Sequence, residues 1–396
     1  MNQGSVLLGL VRRGYRAVFF QNWPLWLGGL LIGIMSVITF AWGRPWGVAR
    51  GLGNWGDWFF ALVGAYSNRP SSPLVTSSSV LTLGLLWGAL GSSLLSKQFV
   101  LRMASPLELL KGVVGGSLMG VGAAMAGGCN VGGFYSAVSA LSFSGLAMMV
   151  GLLIGAYLGL RYMSWEGEHL PPQSASAPAE KGREPGFHWL TLEPYIGVIL
   201  FLGALAAAWV YAQEAYTQAG GLLLCGIGFG IIIQRTRFCF VRAFRDPFMT
   251  GAGNMARAMC VSIIISVIGF AALKWTGARG EMVYVPPAFW FGALVGGISF
   301  GFGMSLAGGC GSGSVWRAGE GQVKLMVAVV FFALSMSLFK ALMNVSDGLT
   351  ALAGHRVFLP HYLTYKWTLV LLVLVFAVYY LAASWNEETN LFVVKT

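Results

Sequence analysis

Two cysteines in this chain stand in the same phrase. Ala126-Gly127-Gly128-Cys129-Asn130-Val131-Gly132 returns 181 residues later as Ala307-Gly308-Gly309-Cys310-Gly311-Ser312-Gly313. A thiol is a weak hydrogen-bond donor, and its thiolate is a nucleophile. Glycine on either side favours a helix break, because glycine accepts backbone angles that other residues resist. A short helix beginning just after each cysteine would aim free N–H groups and a positive dipole end at the thiol. Such a site lowers a thiol's pKa or holds an anion. Gly128, Asn130, Gly309 and Gly311, which flank the two thiols, are therefore candidate anion-binding positions.

A third thiol lies in Gln234-Arg235-Thr236-Arg237-Phe238-Cys239-Phe240-Val241-Arg242-Ala243-Phe244-Arg245-Asp246-Pro247, at the end of an apolar run. Four arginines and aromatics beside a cysteine read either as a positively charged loop at a membrane face or as a vestibule. In a vestibule, guanidinium groups would desolvate and orient an oxyanion beside the thiol. Arg237 and Arg242 are its candidates, with Arg44 in the first half. There the corresponding stretch, Arg44-Pro45-Trp46-Gly47-Val48-Ala49-Arg50, carries Gly47 near the place of Cys239. Thiols thus occupy three of four related positions, so the entrances are expected to be unequal. Arg317, seven residues after Cys310, either reaches toward the path or snorkels to the surface, with Glu320 as an i,i+3 partner. Cys225 and Cys260 lie in uninterrupted apolar runs and read as packing residues. The four histidines lie in loops, and no Cys-x-x-Cys pattern occurs. Neither a structural metal nor any other cofactor is expected.

The elements that must position these residues are membrane helices. The chain has 396 residues, 56% hydrophobic and only 10% charged, with mean hydropathy +0.71. A soluble chain carries about a quarter charged residues. Spans are expected at 23–42, 76–95, 107–126, 144–163, 193–212, 219–234, 252–273, 288–306, 322–343 and 365–384. Tryptophans stand at many of their edges, and the prolines are expected outside their interiors. The net charge of +11 is scattered through the loops. It suits topology, lipid headgroups or an anion-attracting funnel rather than nucleic acid. Arg12, Arg13 and Arg16 precede the first span, which predicts an interfacial segment over 1–22 and a cytoplasmic N-terminus. The Pro/Ser/charge-rich stretch 164–190 reads as a polar linker. It would separate a first membrane repeat, 23–163, from a second repeat plus final span, 191–396. The repeat extends past the cysteines, since Gly115-Gly116 and Gly120 recur as Gly296-Gly297 and Gly301. The fold class is therefore all-α and polytopic, with two pseudo-symmetric repeats, broken helices at the Gly-Gly-Cys motifs, and a site at the repeat interface.

On Gly127-Gly128-Cys129, Gly308-Gly309-Cys310 and Phe238-Cys239-Phe240, the chain resembles the YeeE/YedE family of membrane proteins. Ala243-Phe244-Arg245-Asp246, Thr250-Gly251, and Arg317-Ala318 with Glu320-Gly321-Gln322 resemble its YedE branch. The resemblance implies a bacterial inner-membrane protein with inverted repeats and re-entrant helices. It also implies a cysteine-lined route for a reduced-sulfur anion, carried here onto Cys129, Cys239 and Cys310. The selenium association of the YedE branch makes a selenium compound an alternative passenger. The expected activity is transport of a thiosulfate-like anion rather than catalysis. The competing readings are a membrane sulfur-relay enzyme that forms a cysteine persulfide and a structural subunit. Expected partners are a small sulfur or selenium anion, membrane lipid and a cytoplasmic sulfur-carrier protein.

Overall fold

A computed structural model describes residues 13–67, 69–169 and 189–394. Most of the expected interfacial segment (residues 1–12) and of the expected linker (170–188) lies outside the described residues. After a short helical turn, Arg16–Phe20, the first half comprises α1 (Leu25–Trp42), α2 (Ala49–Leu62), α3 (Ser77–Leu95), α4 (Pro106–Met125), α5 (Asn130–Tyr135 running on into Ser136–Ser139) and α6 (Phe143–His169). Next comes α7 (Trp189–Gln213). The second half is α8 (Thr217–Thr236), α9 (Phe240–Met249), α10 (Asn254–Trp275), α11 (Phe291–Ala307), α12 (Gly311–Gly319) and α13 (Val323–Val345). The short α14 (Asp347–Ala353) and the long α15 (Pro360–Thr389) close the chain. Among the described residues ten helical stretches are long and apolar enough to cross a membrane, and no strand forms. This is a polytopic helical membrane protein.

Each half repeats one order: long helix, short helix, two long helices, short helix, long helix. The packing fixes how the halves are related. At the crossing of α4 and α11, Gly115 lies against Gly303 and Gly122 against Gly296. A Cβ on Gly115 would sit 2.6 Å from the Gly303 carbonyl, and one on Gly303 would sit 2.7 Å from the Gly115 carbonyl. Small residues let the two backbones touch. As one helix advances the other retreats, so they are antiparallel. The repeat carries Gly115 onto Gly296 and Gly303 onto Gly122, so this contact maps onto itself. The axis that does so lies across the helices, which makes the repeats inverted. The flanking contacts obey the same operator: Gly116 meets Ala328 and Gly297 meets Met148, while Gly120 meets Phe332 and Gly301 meets Leu152. The halves also exchange neighbours, with α1 packed on α10 and α8 on α3.

Inversion explains α7. Four long helices per half return the chain to the side where it began, and an inverted second half must start on the other side. One added crossing is required, and α7 provides it. Only 11% of its apolar window is buried, which suits a helix that spans without joining the core. The second half therefore begins at α8, with α7 outside the repeat pattern. Two expectations need correction. Pro194 lies inside α7 and Pro247 inside α9. Also, α6 continues to His169 rather than ending at 163, because Glu166 near its end pairs with Lys111 of α4.

Candidate functional site

Both Gly-Gly-Cys phrases fold the same way. The first glycine is left-handed at the end of its helix, Gly127 with φ 74° and Gly308 with φ 78°, a conformation open to glycine without strain. The cysteine then takes extended geometry, φ −69° and ψ −178° at Cys129 and φ −80° and ψ −177° at Cys310. Each forms the N-cap of a short helix, α5 and α12 respectively. Cys239 occupies the same place before α9. All three candidate thiols are thus N-caps, where unpaired amides and the helix dipole favour negative charge. Cys310 uses the position fully: its Sγ accepts the Gly313 N–H at 3.2 Å and lies 3.6 Å from Ser312 Oγ. Cys129 makes no such bond. The first turn of α5 is π-helical, which absorbs the one residue by which α5 exceeds α12.

The structure buries all three thiols in the same region of the protein. Cys239 and Cys310 interact directly. A Cβ on Gly311 would lie 3.5 Å from the Cys129 Sγ, so the α12 N-terminus adjoins the first-half thiol. Beyond Cys129, Gly47 abuts Gly132, as Cys239 adjoins the equivalent Gly313. Arg317 donates to the Gly308 carbonyl at 2.7 Å and approaches the Cys239 Sγ at 3.9 Å. It therefore faces Cys239, and the expected Arg317–Glu320 pair does not form. Several polar atoms in this region are buried without a partner: both amide atoms of Asn130, Ser314 Oγ, and the indole N–H groups of Trp46 and Trp316. Buried polar groups are seldom left unpaired, so each of these atoms has capacity for a further hydrogen bond.

At the Gly47 end is a first mouth, lined by Arg44, Arg50, Ser136, Tyr284 and the backbone of Gly127, Gly128 and Gly132. Both guanidinium groups lie over the Tyr284 ring, at 5.6 and 5.4 Å. Neither forms an ion pair among the described residues. Burial pushes the Arg44 guanidinium below its ordinary value; Tyr284 opposes this and Arg50 adds to it. An anion would relieve both the burial and the like charge. The cavity there has a volume of about 30 Å³, room for a water or two.

The second mouth, beyond Cys239, is built from residues that spacing alone did not join. Arg237 contacts both Glu320 oxygens, at 2.6 and 2.8 Å, and reaches Gln98 Oε1 at 2.7 Å. Gln234 donates to Glu320 at 2.9 Å and is itself held by Ser92. Arg237 and Arg317 lie 5.5 and 5.1 Å from the Trp316 ring. Arg242, by contrast, is committed to Asp246 at 2.8 Å. Gln98 and Tyr284 were missed from the sequence because each is uncharged and far in sequence from any of the three thiols, and Gln234 and Trp316 because an uncharged side chain near a thiol carries no motif signal.

Known proteins resemble this chain over much of its length. A family model described as "Sulphur transport" matches residues 10–158 and 235–394. The chain is 30% identical over 306 residues to "Probable transporter YedE" of Escherichia coli (strain K12), covering 74% of each protein. It is 34% identical over 120 residues to "Thiosulfate transporter TsuA" of the same organism, covering 30% of this chain and 33% of that one. The TsuA of Spirochaeta thermophila is 37% identical over 112 residues, covering 28% and 33%.

Proposed function

This chain belongs to the sulphur-transport family, and from that premise we propose that it carries a thiosulfate-like anion across the membrane along Cys129, Cys239 and Cys310. The observation that supports the reading is the three buried N-cap thiols with arginines Arg44 and Arg50 on one side and Arg237 and Arg317 on the other. The anion's oxygens are drawn by Arg44 and Arg50 and then by the amides of α5 and α12 around Asn130 and Gly311. Its terminal sulfur, poorly hydrated and a weak acceptor, passes between S–H donors. Weak donors suit passage, because a site that binds too tightly stops conduction. The thiols act while protonated, since thiolates would repel the cargo.

The fold suggests a direction. Trp23 N–H donates to the Arg235 carbonyl at 3.0 Å, which puts the start of α1 beside the end of α8 and hence on the side of the Arg237 mouth. With the N-terminus cytoplasmic in an inner membrane, the Arg44 mouth faces the periplasm and the Arg237 mouth the cytoplasm. A cytoplasmic sulfur-carrier protein is the natural recipient. The congeneric selenium anion has the same shape and a softer terminal atom.

Uptake of labelled thiosulfate, selenite and sulfate into proteoliposomes containing this protein alone is the test. Thiosulfate should enter and sulfate, which lacks a terminal sulfur, should not. Full flux in folded Cys129→Ala, Cys239→Ala and Cys310→Ala variants would sink the reading. One observation favours a second reading: the Arg317 guanidinium beside Cys239 is the setting that stabilises a thiolate. That thiolate could attack the sulfane sulfur of thiosulfate, breaking its S–S bond, releasing sulfite and leaving a persulfide on Cys239. Sulfite release with a mass gain of one sulfur atom on Cys239 would favour it.

A further inference from the structure

The second mouth holds a carboxylate for which the transport path has no evident use. Glu320 is 5% exposed, and its partner Arg237 shares the Trp316 ring with Arg317, the guanidinium that approaches Cys239. Glu320 takes both of its oxygens to Arg237 and accepts a further bond from Gln234. That is how a guanidinium with a neighbouring amide would hold an oxyanion. Pseudo-symmetry sharpens the point. Glu320 follows α12, and Ala140 follows α5; the next residues, Gly321 (φ 93°) and Leu141 (φ 64°), make the same left-handed turn. The first half therefore has alanine where the second has glutamate, and the first mouth keeps its arginines free of any carboxylate among the described residues.

We propose that Glu320 is the resident occupant of an inner anion site: in the closed protein its carboxylate sits on Arg237 where the passenger sits during release, and exchange of one for the other opens and shuts that mouth. The passenger's identity rests on the transport reading; the site does not. The ligand class is a small oxyanion with two oxygens able to meet one guanidinium. In transport Glu320 acts by competition. It strips the anion from Arg237 after each passage, which makes this mouth the releasing end and the uncompensated Arg44/Arg50 mouth the capturing end.

The reporter is Cys239 in a chain carrying Cys129→Ser, Cys225→Ala, Cys260→Ala and Cys310→Ser. It is labelled in proteoliposomes with a sulfonate-bearing or a trimethylammonium-bearing methanethiosulfonate and read by intact mass. Glu320→Gln keeps the size and most hydrogen bonds while freeing Arg237. It should speed labelling by the anionic reagent at least about tenfold, the scale of one charge-assisted bond, and leave the cationic reagent nearly unchanged. Equal acceleration of both, or of neither, overturns the proposal. Arg237→Gln provides a second reading that does not depend on the first variant folding. It strands the Glu320 charge at the mouth, so the anionic rate should fall relative to the cationic one, and an unchanged ratio overturns the proposal. In an otherwise wild-type chain, Glu320→Gln should lower both KM and kcat for thiosulfate, because the anion is held where it should leave. If the parent transports thiosulfate and Glu320→Gln matches it in both constants, the gate is wrong and the transport reading stands. If labelling behaves as expected but the parent carries no thiosulfate, the transport reading fails and the inner site remains.

Discussion

Cys310 offers a perturbation that separates holding the fold together from moving the cargo. Its sulfur does two things: it accepts the Gly313 amide at 3.2 Å as the cap of α12, and it stands beside Cys239. Cys310→Ala removes both. Loss of an N-cap costs about 0.5–2 kcal/mol, and removing one buried heavy atom adds about 1 kcal/mol, so the destabilisation should be about 2 kcal/mol. Cys310→Ser restores a better capping atom and should be close to neutral. At Cys129, which makes no cap bond, alanine should cost only the packing term, about 1 kcal/mol. At about 2 °C per kcal/mol for a chain of this length, the melting temperatures in detergent should rank Cys310→Ser near wild type, Cys129→Ala about 2 °C lower and Cys310→Ala about 4 °C lower. Thiosulfate uptake should rank differently. All three variants lose a thiol from the line, and each should fall about tenfold or more, as expected for one hydrogen bond to a charged group. A Cys310→Ser protein that melts like wild type and transports like wild type would refute the reasoning, because the sulfur would then be a cap and nothing else.

Other consequences can be checked with the same two measurements. Arg44→Gln and Arg50→Gln should each raise the KM for thiosulfate about tenfold or more, the worth of a charge-assisted contact, with little change in melting; unaltered kinetics would remove the first mouth from the path. Gly127→Ala and Gly308→Ala force a side chain into the left-handed region and should each cost about 1–2 kcal/mol. Similar losses at the two sites would follow from the inverted repeat, whereas a loss at one alone would show that the two breaks bear unequal strain. Cys225→Ala and Cys260→Ala should lose about 1 kcal/mol or less of stability and keep full uptake; a transport defect in either would mean that the thiol line is longer than three.

Much of this was legible in the chain because the membrane leaves few alternatives. Apolar runs near twenty residues become spans, and glycines around a cysteine become a helix break, since lipid offers no partner for loose backbone. Local geometry thus made Cys129, Cys310 and Cys239 visible. What escaped depends on contacts between residues distant in sequence. Glu320 lies one helical turn from Arg317, so spacing favours that pair. The structure sends Arg317 back to the Gly308 carbonyl and Glu320 across to Arg237. The left-handed Arg237 at the end of α8 turns the chain so that its side chain faces α12 rather than the next residues of its own helix. Arg242, four residues from Asp246, finds the partner that helical periodicity supplies. Tyr284 and Gln98 sit in connections whose paths no periodicity specifies.

The two halves share a scaffold, and several of the differences between them fall toward the two ends. An inverted repeat with identical lining would have equivalent ends and no inherent preference for direction. Here the matched backbone breaks at Gly127 and Gly308 keep a common centre, while three substitutions distinguish the exits. Gly47 lies near the place of Cys239, so the first mouth opens onto bare backbone and the second onto a thiol. Ala140 stands where Glu320 does, so guanidinium charge is uncompensated at one end and neutralised at the other. Ser136 lines the first mouth where the related α12 position carries Trp316, whose ring lies near both Arg237 and Arg317. On the proposed reading an anion meets attraction without competition at the Arg44 end and attraction with a built-in competitor at the Arg237 end. On that reading these positions make the two faces differ in affinity, while the gradient or a coupled energy source sets the direction of net flux.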